Sequence, residues 1–248
     1  MSHRVELKEG AFIISDAHYS PARPELLNFL KDIINKKLNP SQIIFMGDIF
    51  DALFGSIKRT YNKNQKLINI INKISLNIEV IYLEGNHDFN LKNIFPNSKI
   101  FTISNQPIVC EQKNKKIYLA HGDFNGDSGY KIYTALIRNP VVLFILNILN
   151  TLFGNFVLNY LDNHLSKKDD CANIDNFEQI IKKRFDKKYD CDYFIEGHHH
   201  QNKVLKLNNF IYINLAAFAC NQRYFIVEFA KEEFLVCKTY LEIRENKK

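Results

Sequence analysis

Three short apolar runs alternate with two segments of helical spacing inside the first 90 residues, and this alternation restricts the fold class most. Ala11–Ser15, Ile43–Met46 and Glu79–Leu83 are too short for helices and are bounded by polar or glycine residues, so they read as strands. Glu25–Leu38 places Leu26, Leu27, Leu30, Ile33, Ile34 and Leu38 at helical spacing, and Lys63–Ile74 does the same with Leu67, Ile68, Ile70, Ile71 and Ile74. Strand, helix, strand, helix, strand in that order predicts parallel strands joined by crossover helices. Ligands collect beyond the carboxyl ends of such strands. The segment Ile43–Asp51, IIFMGDIFD, shows the pattern at its plainest: a buried run, a glycine turn, then a carboxylate at Asp48.

The rest of the chain changes character. Lys99–Ile103, Ile108–Glu111 and Ile117–Ala120 read as short strands, Ile174–Phe185 as a helix and Tyr193–Ile195 as a strand. Val204–Leu207, Phe210–Asn214, Tyr224–Phe229 and Phe234–Tyr240 follow as successive strands, the first two joined by a turn at Asn208-Asn209. Five strand ends then carry polar signatures: Asp16-Ala-His18, Gly47-Asp48-Ile-Phe-Asp51, Gly85-Asn86-His87-Asp88, His121-Gly122-Asp123 and Gly197-His198-His199-His200. Singly, each has an ordinary explanation as a turn, a cap or a core histidine. Together they hold six of the chain's eight histidines, and Asp, Asn and His gathered at one edge of a sheet suit a divalent metal centre.

Composition narrows the setting. The chain has 248 residues, 46% hydrophobic, with a formal net charge of +6 and a pI near 8.9. That balance is compatible with phosphate-rich ligands or an anionic membrane face. Lys182, Lys183, Arg184, Lys187 and Lys188 read as a solvated helix face, and no nucleic-acid partner is expected. The five cysteines show no paired spacing and are expected to be reduced thiols. The polar N-terminus has no apolar signal region.

The ordered set D-x-H, G-D-x-x-D, G-N-H-D, H-G-D and G-H-x-H resembles the calcineurin-like metallophosphoesterases. The resemblance implies an α/β fold, a four-layer α/β/β/α sandwich, with two divalent metals at the loop ends of its sheets. By position, Asp16, His18 and His200 would hold the first metal, Asn86, His121 and His198 the second, and Asp48 would bridge them. His199 falls at the variable position. His87 would stabilise the phosphoryl oxygens or protonate the leaving oxygen. A dinuclear site of this kind clamps a phosphoryl group and makes a water reactive near neutral pH. Mixed nitrogen and oxygen ligands suit Mn²⁺, Fe²⁺ or Zn²⁺. Asp51, Asp88 and Asp123 each follow a ligand closely and could orient it.

Residues 130–165 interrupt the pattern. Val141–Leu161 is long enough to span a membrane, but Asn147, Asn150, Asn155 and Asn159 break its apolar character. Two amphipathic helices broken near Gly154 are expected. They either fill the core or form an apolar cap that accepts acyl chains or leans on a membrane. With Asp127-Ser-Gly-Tyr130, Arg138-Asn-Pro140 and Ser166-Lys167, this insertion resembles the UDP-2,3-diacylglucosamine diphosphatases of lipid A biosynthesis. That resemblance implies Mn²⁺, cleavage of a lipid-linked sugar nucleotide to UMP and 2,3-diacylglucosamine 1-phosphate, and a cytoplasmic enzyme held peripherally at the inner membrane. It also implies substrate contacts from Asn86, His87, Asp127, Tyr130, Ser166 and Lys167. The expected division is a core of residues 1–129 and 166–248 with a cap of 130–165. His87 stands where the well-known members carry arginine, a pattern of general phosphoesterases. The alternative function is therefore a soluble metallophosphoesterase acting on nucleotides or phosphoproteins.

Overall fold

The computed structural model describes residues 4–112, 114–124, 128–165, 169–185, 189–207, 209–231 and 234–241, with only the backbone described at residues 4, 128, 130, 131, 162, 164 and 165. In chain order the strands are β1 (Arg4–Glu6), β2 (Phe12–Ile14), β3 (Gln42–Phe45), β4 (Leu53–Phe54), β5 (Glu79–Leu83), β6 (Asp88–Phe89), β7 (Lys99–Phe101), β8 (Ile108–Gln112), β9 (Lys115–Ala120), β10 (Tyr193–Glu196), β11 (Lys203–Leu207), β12 (Phe210–Asn214), β13 (Arg223–Val227) and β14 (Leu235–Thr239). The helices are α1 (Glu25–Ile34), α2 (Lys58–Ile74), α3 (Ser128–Arg138), α4 (Pro140–Leu152), α5 (Phe156–Leu165), α6 (Phe177–Arg184) and α7 (Phe218–Asn221).

Two six-stranded sheets form, in the orders β14-β13-β2-β3-β5-β7 and β1-β8-β9-β10-β12-β11. β2, β3, β5 and β7 are parallel, as the strand–helix alternation dictates. The two-residue period of a strand divides each between two cores. Phe12, Ile14, Ile43, Phe45, Val80 and Tyr82 point outward and pack with Leu26, Phe29, Leu30, Leu67, Ile68 and Ile71 of α1 and α2. Their neighbours Ile13, Ile44, Met46, Ile81 and Leu83 point inward and meet Ile108, Cys110, Ile117, Leu119 and Ile195 of the second sheet. The outer face of that sheet is covered by Phe177 and Ile181 of α6, which join Phe194, Phe210 and Tyr212. The result is the expected α/β/β/α sandwich.

Three features depart from expectation. The two helices expected over Val141–Leu161 form as α4 and α5, but a further helix, α3, precedes them, and Asn139-Pro140 separates it from α4. The Asn139 side chain accepts hydrogen bonds from the backbone of Val141 (2.9 Å) and Val142 (3.3 Å), capping α4. The break near Gly154 is where it was expected. Gly154 and Asn155 have φ of +66° and +61°, and the buried Asn150 side chain accepts from the Leu158 backbone at 3.1 Å. Second, Cys171 and Cys220 form a disulfide, with Cα atoms 5.6 Å apart. Their separation of 49 residues hides the pairing in the sequence, and folding creates it by laying the segment before α6 beside α7. Third, the polar N-terminus supplies β1, which pairs with β8. Among the described residues no single helix is long and apolar enough to cross a membrane, although α3 and α4, bent by 69°, pass together by length and composition.

Candidate metal centre

The five signatures follow β2, β3, β5, β9 and β10, and all lie at the carboxyl ends of these strands. They bring two clusters together. Asp16, His18 and His200 form one, and Asp48, His121 and His198 the other, with the ligand-type atoms of each cluster within 4.8 Å of one another. Asn86 joins the second: its Oδ1 lies 3.3 Å from His121 Nε2. His199 turns away, its Nε2 meeting Arg184 Nη1 at 3.2 Å.

The backbone is strained at the same places. Asp16, His18, Asp48, His198 and His200 all adopt left-handed φ between +43° and +63°. Side chains with a Cβ avoid this region, at a cost of order 1–3 kcal/mol each. Such residues persist where the surrounding structure forces them, and each of these five carries a group able to ligate a metal. Two glycines complete the cradle. A Cβ on Gly85 would collide with the Asp48 carboxylate, and one on Gly197 with that of Asp16.

The hydrogen bonds show that the site fits cations. His121 Nδ1 lies 2.9 Å from the Met46 carbonyl, and His200 Nδ1 lies 2.5 Å from that of Asp170. A carbonyl only accepts, so both Nδ1 atoms carry protons. Each Nε2 then faces a carboxylate: His121 at 3.3 Å from Asp48 Oδ2, His200 at 3.1 Å from Asp16 Oδ1. These are metal-ligand tautomers held by backbone partners. His18 Nε2 is buried without a hydrogen-bond partner. Electrostatics divides the imidazoles. Burial pushes His18 down to about 4, and burial with the neighbouring His121 and His199 drives His198 well below its usual range. Against burial, Asp16 lifts His200 to about 9 and Asp48 holds His121 far above normal. Burial would also raise Asp48, but His121 and His87 keep its carboxylate ionised. One imidazole in each cluster is thus neutral, and the other shares positive charge with a carboxylate where a cation could replace the proton.

A layer of supporting groups surrounds the clusters. Asp88 accepts from the backbone N–H groups of Asp48 (3.0 Å), Ile49 (2.6 Å) and Gly85 (3.0 Å) and from the Tyr82 hydroxyl (2.6 Å), pinning the Asp48 turn. Asp51 Oδ1 is 3.6 Å from His18 Nδ1, and its carbonyl accepts from His87 Nδ1 at 2.8 Å. Asp123 Oδ2 lies 3.3 Å from Arg138 Nη2, which also donates to the Gly85 carbonyl at 2.7 Å. Arg184, expected on a solvated helix face, instead turns inward. Its Nη1 and Nη2 donate to Glu196 Oε1 at 2.7 Å and Oε2 at 3.1 Å, and Nη2 also to the Gly122 carbonyl at 2.8 Å. Lys187 and Lys188 lie outside the described residues. The contacts of Arg184, and those of Arg23 and Asp170, join residues far apart in the sequence. Residue type carries no trace of a backbone carbonyl's partner, whereas Glu196 is marked by standing directly before Gly197.

His87, with Nε2 3.9 Å from Asp48 Oδ2, also borders a cavity of about 410 Å³. Asp51, Asn86 and His87 line it on the metal side, and Ile137, Leu143, Leu146, Leu158 and Leu161 line it beneath the inserted helices. Asp127, Ser166 and Lys167 lie outside the described residues, as does the Tyr130 side chain.

The family model described as calcineurin-like phosphoesterase matches residues 11–202, a stretch that contains every signature above. The UDP-2,3-diacylglucosamine hydrolase of Pseudomonas putida (strain KT2440) is 30% identical over 138 residues, 54% of this chain and 57% of that protein. That of Psychromonas ingrahamii is 24% identical over 195 residues, 76% of this chain and 79% of that protein. The match spans little more than half the length of the Pseudomonas relative. A solved archaeal phosphodiesterase is similar at 16% identity and a TM-score of 0.44, over 92% of this chain and 98% of that one. With its motifs in order and the match running through most of its length, the chain belongs to the calcineurin-like phosphoesterase family.

Proposed function

We propose that the protein is a dinuclear-metal hydrolase that cleaves the diphosphate of UDP-2,3-diacylglucosamine, giving UMP and 2,3-diacylglucosamine 1-phosphate for lipid A biosynthesis. Asp16, His18 and His200 would hold one cation, Asn86, His121 and His198 the other, with Asp48 available to both. Two divalent ions, here proposed as Mn²⁺, would polarise the phosphoryl group and lower the pKa of the attacking water. The chain's own groups do the rest. The Asp51 carbonyl fixes the His87 ring, so that Nε2 faces the reacting phosphate and can hold a phosphoryl oxygen or supply a proton to the leaving oxygen. Asp127, Tyr130, Ser166 and Lys167 are proposed to touch the sugar, nucleotide or phosphate.

The observation that carries the substrate class is the cavity under residues 130–165. Its volume is that of a small-molecule pocket, its walls are mostly apolar, aliphatic and aromatic together, and it begins beside His87. An acyl chain gains from burial against such a wall in proportion to its apolar area, which a small soluble phosphoester lacks. Residues 130–165 are accordingly a cap on a core of 1–129 and 166–248. The cap also exposes Phe144, Leu152, Phe153 and Phe156, none of which lines the cavity. An apolar patch of this kind marks an interaction surface, and we assign it to the cytoplasmic face of the inner membrane, where the substrate resides. The test is hydrolysis of UDP-2,3-diacylglucosamine with Mn²⁺. UMP release with strong preference over unacylated UDP-N-acetylglucosamine is expected. Faster turnover of simple soluble phosphoesters than of the lipid would favour a general phosphoesterase instead.

A further inference from the structure

Both imidazoles of the first cluster lean on groups that a single guanidinium ties together. His200 Nδ1 donates to the Asp170 carbonyl at 2.5 Å, and His18 Nδ1 faces Asp51 Oδ1 at 3.6 Å. Arg23, between β2 and α1, reaches both supports. Its Nη1 donates to Asp170 Oδ2 at 2.6 Å, and its Nη2 lies 3.4 Å from Asp51 Oδ1. Residues 169–176 belong to no helix or strand, so the Asp170 carbonyl is placed by side-chain ties. Arg23 is one tie, and the Cys171–Cys220 disulfide, one residue further on, is another.

We propose that Arg23 is a positioning residue for the first metal. By forking between Asp170 and Asp51 it sets His200 and His18 at ligand distance; the inference rests on the two-metal reading above. Three considerations favour this over a role in stability. The Arg23 side chain is 29% exposed and that of Asp170 6%, and a pair open to solvent on one side contributes less to folding than a fully buried one. It contacts two carboxylates whose residues each face a different imidazole of one cluster. A planar guanidinium can hold two such partners in fixed directions, which an ammonium cannot. Orientation of ligands by supporting groups is worth roughly 10- to 100-fold in metal affinity.

The test is calorimetric titration of metal-stripped protein with Mn²⁺, paired with melting of the metal-free forms. Wild type should bind two ions per chain. Arg23→Gln should bind one as wild type does and the other roughly 10- to 100-fold more weakly, with Arg23→Lys in between. Metal-free melting temperatures should agree within about 2 °C, the scale of a small surface perturbation in a chain this size. Two unchanged sites in Arg23→Gln would overturn the positioning role and leave the two-metal reading standing. Weakening of both sites together with a lower metal-free melting temperature would also overturn it, marking Arg23 as structural. Wild type that binds no Mn²⁺ would overturn both.

Discussion

Asp16 Oδ1 and His200 Nε2 stand 3.1 Å apart while the other ring nitrogen of His200 donates to Asp170. Two lone pairs so close repel unless a proton or metal cation lies between them. Asp16→Asn removes the charge that attracts this cation. It should weaken the first ion by more than the roughly 100-fold upper limit for loss of a supporting group, read by metal analysis after dialysis, and hydrolysis should fall in step.

His87 is predicted to act on the substrate rather than on the metals. Its Nδ1 is committed to Asp51, and its Nε2 is 3.9 Å from Asp48. His87→Gln should keep both ions while kcat falls roughly 10²- to 10⁴-fold, the range for loss of a general acid or base. Metal analysis alongside steady-state kinetics checks this, and loss of an ion would place His87 among the ligands.

The cavity makes a prediction about specificity. Leu143 and Leu158 are buried in its wall. Leu158→Trp should fill part of the space, at a stability cost of about 1–3 kcal/mol if neighbours must move. KM for the diacylated substrate should rise sharply while hydrolysis of a small soluble phosphodiester is unchanged. Parallel loss of both activities would separate the cavity from acyl recognition.

Membrane docking can be tested at the tip of the cap. Phe153 and Phe156 are 73% and 69% exposed, so charge there costs the fold little. The double variant Phe153→Glu/Phe156→Glu should lose co-sedimentation with anionic vesicles and keep the wild-type melting temperature. Binding that survives the substitutions would move the docking surface elsewhere.

Glu79 sets an acid limit on stability away from the metals. Burial alone would raise its carboxyl, but hydrogen bonds from Lys8, Lys99 and Gln42 bring it down to about 2 from an ordinary 4.5. The folded pKa is depressed, so the contribution is complete above about 4.5 and fades as pH falls toward 2. Glu79→Gln should destabilise by on the order of 1 kcal/mol at neutral pH, with the difference from wild type shrinking across that window in denaturant melts.

Much of this architecture was legible because it repeats short-range rules. Alternation of Ile13 with Phe12 and Ile14, and of Ile44 with Ile43 and Phe45, prescribes a sheet buried on both faces, and the polar residues at its carboxyl ends mark the site. What stayed hidden depends on distant partners. The Met46 and Asp170 carbonyls that orient His121 and His200 leave no mark in residue type. Cys171 finds Cys220 only after α7 packs beside the Asp170 segment. The start of α4 was legible in principle, since Asn139-Pro140 is a strong helix-start signal, but the apolar run around it masked the boundary.

Two cations are expected to share Asp48. Anomalous X-ray scattering from crystals soaked in Mn²⁺ measures this directly. Two peaks are expected, one on each side of the Asp48 carboxylate, among Asp16, His18 and His200 on one side and Asn86, His121 and His198 on the other. A single peak, or peaks remote from Asp48, would contradict the dinuclear site.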